Sequence, residues 1–304
     1  MLEVKNISFQ YTRDMQVFDN FSLSVNDRIF GLIGVNGAGK STLLKLVLGL
    51  LQTSSGEIIV HNQNIKNHRK EVLKQVGVVF ENPVFPGWTQ VTDHLLYVGQ
   101  IRGLTRQEAH QEVNLLLEVL NLEEKRQALL ADLSAGLKQR FAIAQALIGS
   151  PSLIFLDEPT ANLDAKSRSS VLKYLRATAR DKDLSIIIFS HILDDLEKFC
   201  DSYGILHRGQ LVRQEMIAEL IQHEFIDHYQ IRCLDPQELP KIREFLLAEG
   251  FEVLDEDNQE ILVALHTREE VSKLQQLQFP TGVSIHPDRG LLEQVFFEEI
   301  GANS

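Results

Sequence analysis

Between the apolar run Ile29 to Ile33 and a stretch with helical spacing lies Gly34-Val35-Asn36-Gly37-Ala38-Gly39-Lys40-Ser41-Thr42. Glycines let backbone approach a bound group closely, and successive N–H groups at a helix start present positive charge to an anion. Lys40 can then reach the outer oxygens of a polyphosphate, and Ser41 sets a hydroxyl where Mg²⁺ would sit. A ligand-free glycine turn is the bland alternative, but it has no need of a lysine and a serine at the first helical positions. Farther on, Leu153-Ile154-Phe155-Leu156-Asp157-Glu158 is an apolar strand ending in two adjacent carboxylates. One carboxylate, Asp157, suits a hard cation held through water, and the other, Glu158, suits the water that attacks a terminal phosphate. Adjacent acids at a strand end are often merely solvated, yet no other segment downstream of Lys40 offers the second half of a phosphate site.

Leu133-Ser134-Ala135-Gly136-Leu137-Lys138-Gln139-Arg140 lies between these two segments. Ser134 reads as the cap of a helix starting near Gly136, whose positive end can face a phosphate. Alone it would pass for an ordinary capped helix. In this order the three segments resemble the motifs of the ABC ATPases, and the resemblance covers about Met1 to Ile221. It implies ATP and Mg²⁺ as ligands and a second copy, or a close paralogue, as partner. Ser134, Ala135, Gly136 and Leu137 would then contact ATP bound to the other subunit. It further implies that Tyr11 stacks on adenine, that Asp164 of Asn162-Leu163-Asp164 sits at the subunit interface besides capping a helix, and that His191 hydrogen-bonds the γ-phosphate. Ser41, Asp157 and Glu81 would serve the metal, with Glu158 and His191 the catalytic pair. Two positions depart from the family pattern. Glu81 stands where glutamine is usual, adding negative charge beside the triphosphate, and within the signature Ala135 and Leu137 replace a glycine and a glutamine.

These residues need elements to hold them. Alternation predicts strands over Leu2 to Phe9, Phe18 to Val25 and Ile29 to Ile33, a helix from Lys40 to about Gly49, then strands at Glu57 to Val60 and Val76 to Phe80. From 83 to about 147 the spacing turns helical, at Val91 to Ile101, Glu108 to Leu120 and Leu137 to Leu147, which reads as an inserted helical subdomain. Strands resume at Leu153 to Leu156, Ser185 to Phe189 and Tyr203 to Leu206 around a helix over Lys166 to Ala179, the pattern of a parallel α/β core. The expected fold is therefore a P-loop α/β core with an antiparallel β portion and a helical insert over 1–221, followed by an accessory domain over 222–304. In the latter, strand Tyr229 to Leu234, helix Pro236 to Glu249, strands Phe251 to Leu254 and Glu260 to Leu265, helix Arg268 to Leu277 and strand Gly282 to His286 form a ferredoxin-like βαββαβ order. A helix over Leu291 to Ile300 closes the chain.

Composition bounds the function. A net charge of -12 argues against general attraction to nucleic acid, so phosphate affinity must come from a specific site. No apolar run approaches the roughly 20 residues of a membrane-spanning helix, and Met1 to Asn6 has no secretory pattern, so the expected place is the cytoplasm, peripheral on the inner face of the membrane. Cys200 and Cys233 are too few for a disulfide framework and read as buried thiols. The resemblance implies an ATPase that powers a separate transmembrane permease, most like those of ABC-2-type exporters. Pro83, Phe85, Pro86 and Trp88, in the segment Asn82 to Gln90, read as a docking surface for that permease. The alternatives are a non-transport ABC ATPase, for which this single cassette lacks a long heptad run, and a regulatory nucleotide-binding module, which would be expected to lack Glu158 or His191.

Overall fold

Strand β1 (Leu2–Thr12) turns at Arg13 and Asp14 into β2 (Met15–Val25), and Leu2, Val4, Ile7 and Phe9 are buried in the core, the alternation shifting by one residue between Val4 and Ile7 where Asn6 takes a positive φ. The hairpin is longer at its tip than alternation predicts, because Thr12 pairs with Met15 and Gln10 with Gln16 in a stretch whose residues are almost all exposed. There β pairing goes on without the burial that makes it visible in a sequence. The structure, a computed structural model, describes all residues except Leu234, Asn258, Gln259, Gln278, Thr281, Arg289, Asn303 and Ser304.

The chain continues with β3 (Ile29–Ile33), α1 (Lys40–Val47), β4 (Ser55–Val60), β5 (Gln63–Asn64), α2 (Ile65–Lys74) and β6 (Val76–Val79). Three helices follow, α3 (Val91–Ile101), α4 (Arg106–Val119) and α5 (Ala135–Leu147), and α4 starts on a capping box of Thr105 and Glu108. The parallel core resumes with β7 (Leu153–Asp157), α6 (Ala165–Asp181), β8 (Ser185–Ser190), α7 (Leu193–Phe199), β9 (Ser202–His207) and β10 (Gln210–Met216). Helix α1 is shorter than expected, its end marked by Gly49 in the left-handed region at φ 63°. Helix α2 and strand β10 were not anticipated. The first has only Ile65, Val72 and Leu73 as apolar residues in a run of charged and polar ones, and the second has no fully buried residue. Arg208 and Gly209, both at positive φ, make the tight turn from β9 to β10.

These strands form two sheets. One has the order β2-β1-β4-β5, and its named pairs are antiparallel; the other runs β10-β9-β3-β8-β7-β6, with β9, β3, β8, β7 and β6 parallel. The central strands β3 and β7 are buried at every residue, as expected of parallel strands covered on both faces. Phe18, Phe21, Phe30, Phe155 and Phe189 fill the core beneath α1, and Phe155 and Phe189 stack with centroids 6.4 Å apart. Because β3, β7 and β8 run in one direction, their carboxyl ends lie together, which brings the turn after Ile33, the Asp157-Glu158 pair and the segment after Ser190 to one edge.

The chain divides into two compact units, residues 1–192 with 198–215 and residues 193–197 with 216–304, so the expected change of organisation after Ile221 falls within α8 (Ile217–His223). The second unit holds β11 (His228–Cys233), α9 (Leu239–Ala248), β12 (Glu252–Asp257), β13 (Glu260–Ala264), α10 (Arg268–Gln276), β14 (Val283–Pro287) and α11 (Leu291–Ala302). Its sheet order is β12-β13-β11-β14, antiparallel throughout, which is the ferredoxin-like βαββαβ arrangement. Leu234, the expected end of the first of these strands, lies outside the described residues. Tyr229, Ile231, Cys233, Ile261 and Val263 point to one face and meet Leu239, Ile242, Leu246 and Leu274 of the helices, a core of its own. Cys200 and Cys233 are both buried and free, and burial pushes the Cys200 thiol far up. Among the described residues no helix is long and apolar enough to cross a membrane.

Candidate functional site

The turn after β3 is built so that backbone rather than side chain faces the cleft. Gly37 and Gly39 adopt φ of 86° and 114°, and a Cβ on Gly39 would lie 2.8 Å from the Phe18 ring, so only glycine fits there. Helix α1 begins at Lys40 with no side chain capping it, which leaves its first N–H groups available to an anion. Lys40 is 7% exposed and folds its ammonium back onto the carbonyls of Gly34 and Val35. Burial lowers its pKa, while Glu158, Asp157 and Glu81 act in the opposite direction.

Ser41 Oγ donates to Asp157 Oδ2 at 3.0 Å, joining the two oxygen groups expected at the metal. Asp157 is 4% exposed, and burial raises its pKa against the lowering effect of the Ser41 hydrogen bond. A buried carboxylate beside a hydroxyl and a second acid, Glu81, is an all-oxygen set of the kind a hard cation takes. No cluster of three or more His, Cys, Asp or Glu able to hold a metal exists among the described residues. Mg²⁺ usually takes one or two carboxylates and fills its remaining positions with waters and substrate phosphates.

Glu158 is fastened from several sides. Its backbone sits at φ 48°, a sparsely populated conformation for a side-chain-bearing residue. Its N–H donates to Phe189 O at 2.9 Å, and its carbonyl accepts from Gln139 Nε2 at 3.4 Å. The carboxylate meets His191 Nδ1 at 2.8 Å through Oε1 and accepts from Ser190 Oγ at 3.1 Å through Oε2.

A cleft of about 460 Å³ unites these groups, lined by the turn residues with Lys40, Ser41 and Thr42, by Glu81, Asp157, Glu158 and His191, and also by Tyr11, Met15 and Val17. Gly34 and Ala38 are buried beneath the turn instead: a Cβ on Gly34 would lie 2.6 Å from Leu206 O and 3.0 Å from the Ala38 methyl. Tyr11 is 45% exposed, braced edge-on by Phe9 at 4.9 Å and placed with its hydroxyl 3.3 Å from Thr42 Oγ1, so its ring is free to receive a planar group. Nothing in the types of Met15 and Val17 marks them as cleft residues. The short turn at Arg13 and Asp14, which folds β2 back beside Tyr11, was the available signal.

The signature residues do not line this cleft. Ser134 and Ala135 are exposed and Gly136 and Leu137 half-buried at the start of α5, which Ser134 Oγ caps by accepting from Leu137 N at 3.4 Å. They sit against the segment Asn162-Leu163-Asp164, since a Cβ on Gly136 would approach Asn162 O to 3.0 Å. Asp164 caps α6, accepting from Ser167 N at 2.9 Å and from Ser167 Oγ at 2.5 Å, contacts that lower its pKa. Arg140 of α5 donates to the same Ser167 hydroxyl. Phe85 packs edge-on against His94 and Phe141, whereas Val84 and Trp88 are 93% and 81% exposed. Of the expected docking aromatics, Phe85 is thus local packing.

The family model described as ABC transporter matches residues 18–161. The chain is 34% identical to the bacitracin transport ATP-binding protein BcrA of Bacillus licheniformis over 64% of its own length, and spans 63% of that protein. It is also 34% identical to the Nod factor export ATP-binding protein I of Burkholderia lata, over 78% of each chain. The same identity, over 73% of this chain and 69% of the relative, holds for the methionine import ATP-binding protein MetN 1 of Pseudomonas fluorescens. A solved structure titled as an ATP binding subunit of an ABC transporter superposes with a TM-score of 0.68 at 28% identity, covering 73% of this chain and 92% of that one. With the phosphate cleft, the acidic strand end and the signature helix in place, the chain belongs to the ABC transporter family, among its ATP-binding ATPases.

Proposed function

We propose that this chain is the ATP-hydrolysing motor of an exporter and works as a dimer on a separate transmembrane permease. One observation carries the reading: the cleft gathers Lys40, Ser41, Asp157, Glu158 and His191, while the exposed Ser134 and the half-buried Gly136 lie outside it. A second copy or a close paralogue would bring its own Ser134 and Gly136 over the nucleotide. In that reading Tyr11 stacks on adenine, Lys40 and the N–H groups of 34–42 bind the phosphates, and Ser41, Asp157 and Glu81 hold Mg²⁺. When bound, Mg²⁺ neutralises phosphate charge. Glu158 accepts the proton of the attacking water, His191 addresses the γ-phosphate, and Asp164 reports across the interface.

Export is supported by the Glu81-Asn82-Pro83 loop, by the appended unit and by the likeness over 78% of its length to a Nod factor export protein. In that reading the exposed Val84 and Trp88 meet a cytoplasmic helix of the permease, and the chain works on the inner face of the membrane. A mixing experiment tests the shared site. Lys40→Ala and Ser134→Arg should each abolish hydrolysis in the pure protein, yet together restore part of it, since one site of the mixed dimer keeps both halves intact. A mixture as inactive as its components, beside an active wild type, would overturn the shared site.

A further inference from the structure

We infer that Ser190 is the positioning residue that anchors Glu158 for its work on the attacking water. The inference rests on the reading of Glu158 as the general base. Strand register creates the contact: Asp157 pairs with Phe189 across β7 and β8, so the residue after each strand partner, Glu158 and Ser190, come side by side. Ser190 Oγ donates to Glu158 Oε2 at 3.1 Å and accepts from Ile192 N at 3.1 Å. The second bond fixes the hydroxyl rotor, because an oxygen occupied as acceptor from one side has its proton left for the other. Ser190 is itself the last residue of β8, paired with Ile33 at the root of the phosphate loop.

The two partners of the carboxylate differ in their freedom. The His191 side chain is 59% exposed, whereas Ser190 is 1% exposed and locked in the sheet. When a phosphate draws His191 to itself, Oε1 is released and Oε2 stays held. The outcome is one oxygen fixed to the sheet and the other aimed into the cleft, as positioned proton acceptance requires.

The test is steady-state ATP hydrolysis by the full chain, with ATP affinity measured separately, in Ser190→Ala, Ser190→Thr and Ser190→Cys, each alone and with Glu158→Gln. Losing a hydrogen bond to a charged group should lower kcat by roughly 10- to 100-fold in Ser190→Ala, with ATP affinity within about twofold. Ser190→Thr, which keeps the donor, should regain most of the rate, while Ser190→Cys, of similar size but a weak donor, should not. In the Glu158→Gln background Ser190→Ala should cost little more, because residues acting as a unit are not additive. If Ser190→Ala proves unstable, the Thr and Cys variants still decide. Equal rates for Thr and Cys, or a full additional loss in the Glu158→Gln background, would overturn the role of Ser190. Glu158→Gln hydrolysing at the wild-type rate would instead overturn the reading of Glu158 as base, a separate result.

Discussion

The two units of this molecule put their charge and polar groups to opposite uses. The first unit carries 21 acidic and 24 basic side chains, whereas the second, residues 193–197 with 216–304, carries 21 acidic and 6 basic, so the negative net charge of the chain comes from the second unit. In the first unit buried polar groups converge: Lys40, Asp157, Glu158 and Ser190 are all under 8% exposed and meet at one sheet edge. In the second, the acids stand mostly outside a purely apolar core, and the ion pairs, such as Arg232 with Glu260 at 2.7 Å, are exposed and of little energetic worth. Burying charge is costly, and a fold keeps it where chemistry needs it. The first unit is organised around a reaction, the second around its own packing and an acidic surface.

The largest expected effect lies at the centre of the first unit. Glu158→Gln should leave ATP bound but cut turnover by about 10²–10⁴, the usual worth of a positioned general base, and should trap an ATP-bound dimer. Phosphate release and sedimentation with ATP measure both, and unchanged hydrolysis would remove the chemical distinction between the units. A smaller effect is expected at the rim. Trp88→Ala should weaken association with the permease by about 2 kcal/mol, as hot-spot tryptophans do, while the isolated chain keeps its basal ATPase. Normal co-purification and transport would move the docking surface elsewhere. Least change is expected from ending the chain at Glu215. The remaining unit has its own core and all the cleft residues, so its thermal unfolding should still shift upward with ATP. Loss of that shift would mean that the two units fold as one.

How much could be foreseen followed how strictly physics limits each position. Gly39, Lys40 and Ser41 were legible because close backbone approach, charge reach and a hydroxyl at the helix start admit few residue types, and β3 and β7 because every residue in them is buried. Helix α2 and the hairpin tip at Met15 were not, since their residues are largely exposed and few of them are apolar. Ser190, and the bond that Gln139 of the signature run makes to Glu158, were not legible for another reason: each is an ordinary polar residue until it is known what lies beside it.

By itself the sequence determined the parts of the phosphate site, the order of its motifs and the βαββαβ run of the second unit, because these depend on local spacing and on residue types with few substitutes. Only the tertiary structure decided which partners hold Glu158, that Tyr11 faces the cleft while Ser134 does not, and that Phe85 packs inward while Trp88 is exposed. Those outcomes depend on strand register and on contacts between residues far apart in the chain. Glu158 and Ser190, for instance, are 32 positions apart, and only the pairing of β7 with β8 makes them neighbours.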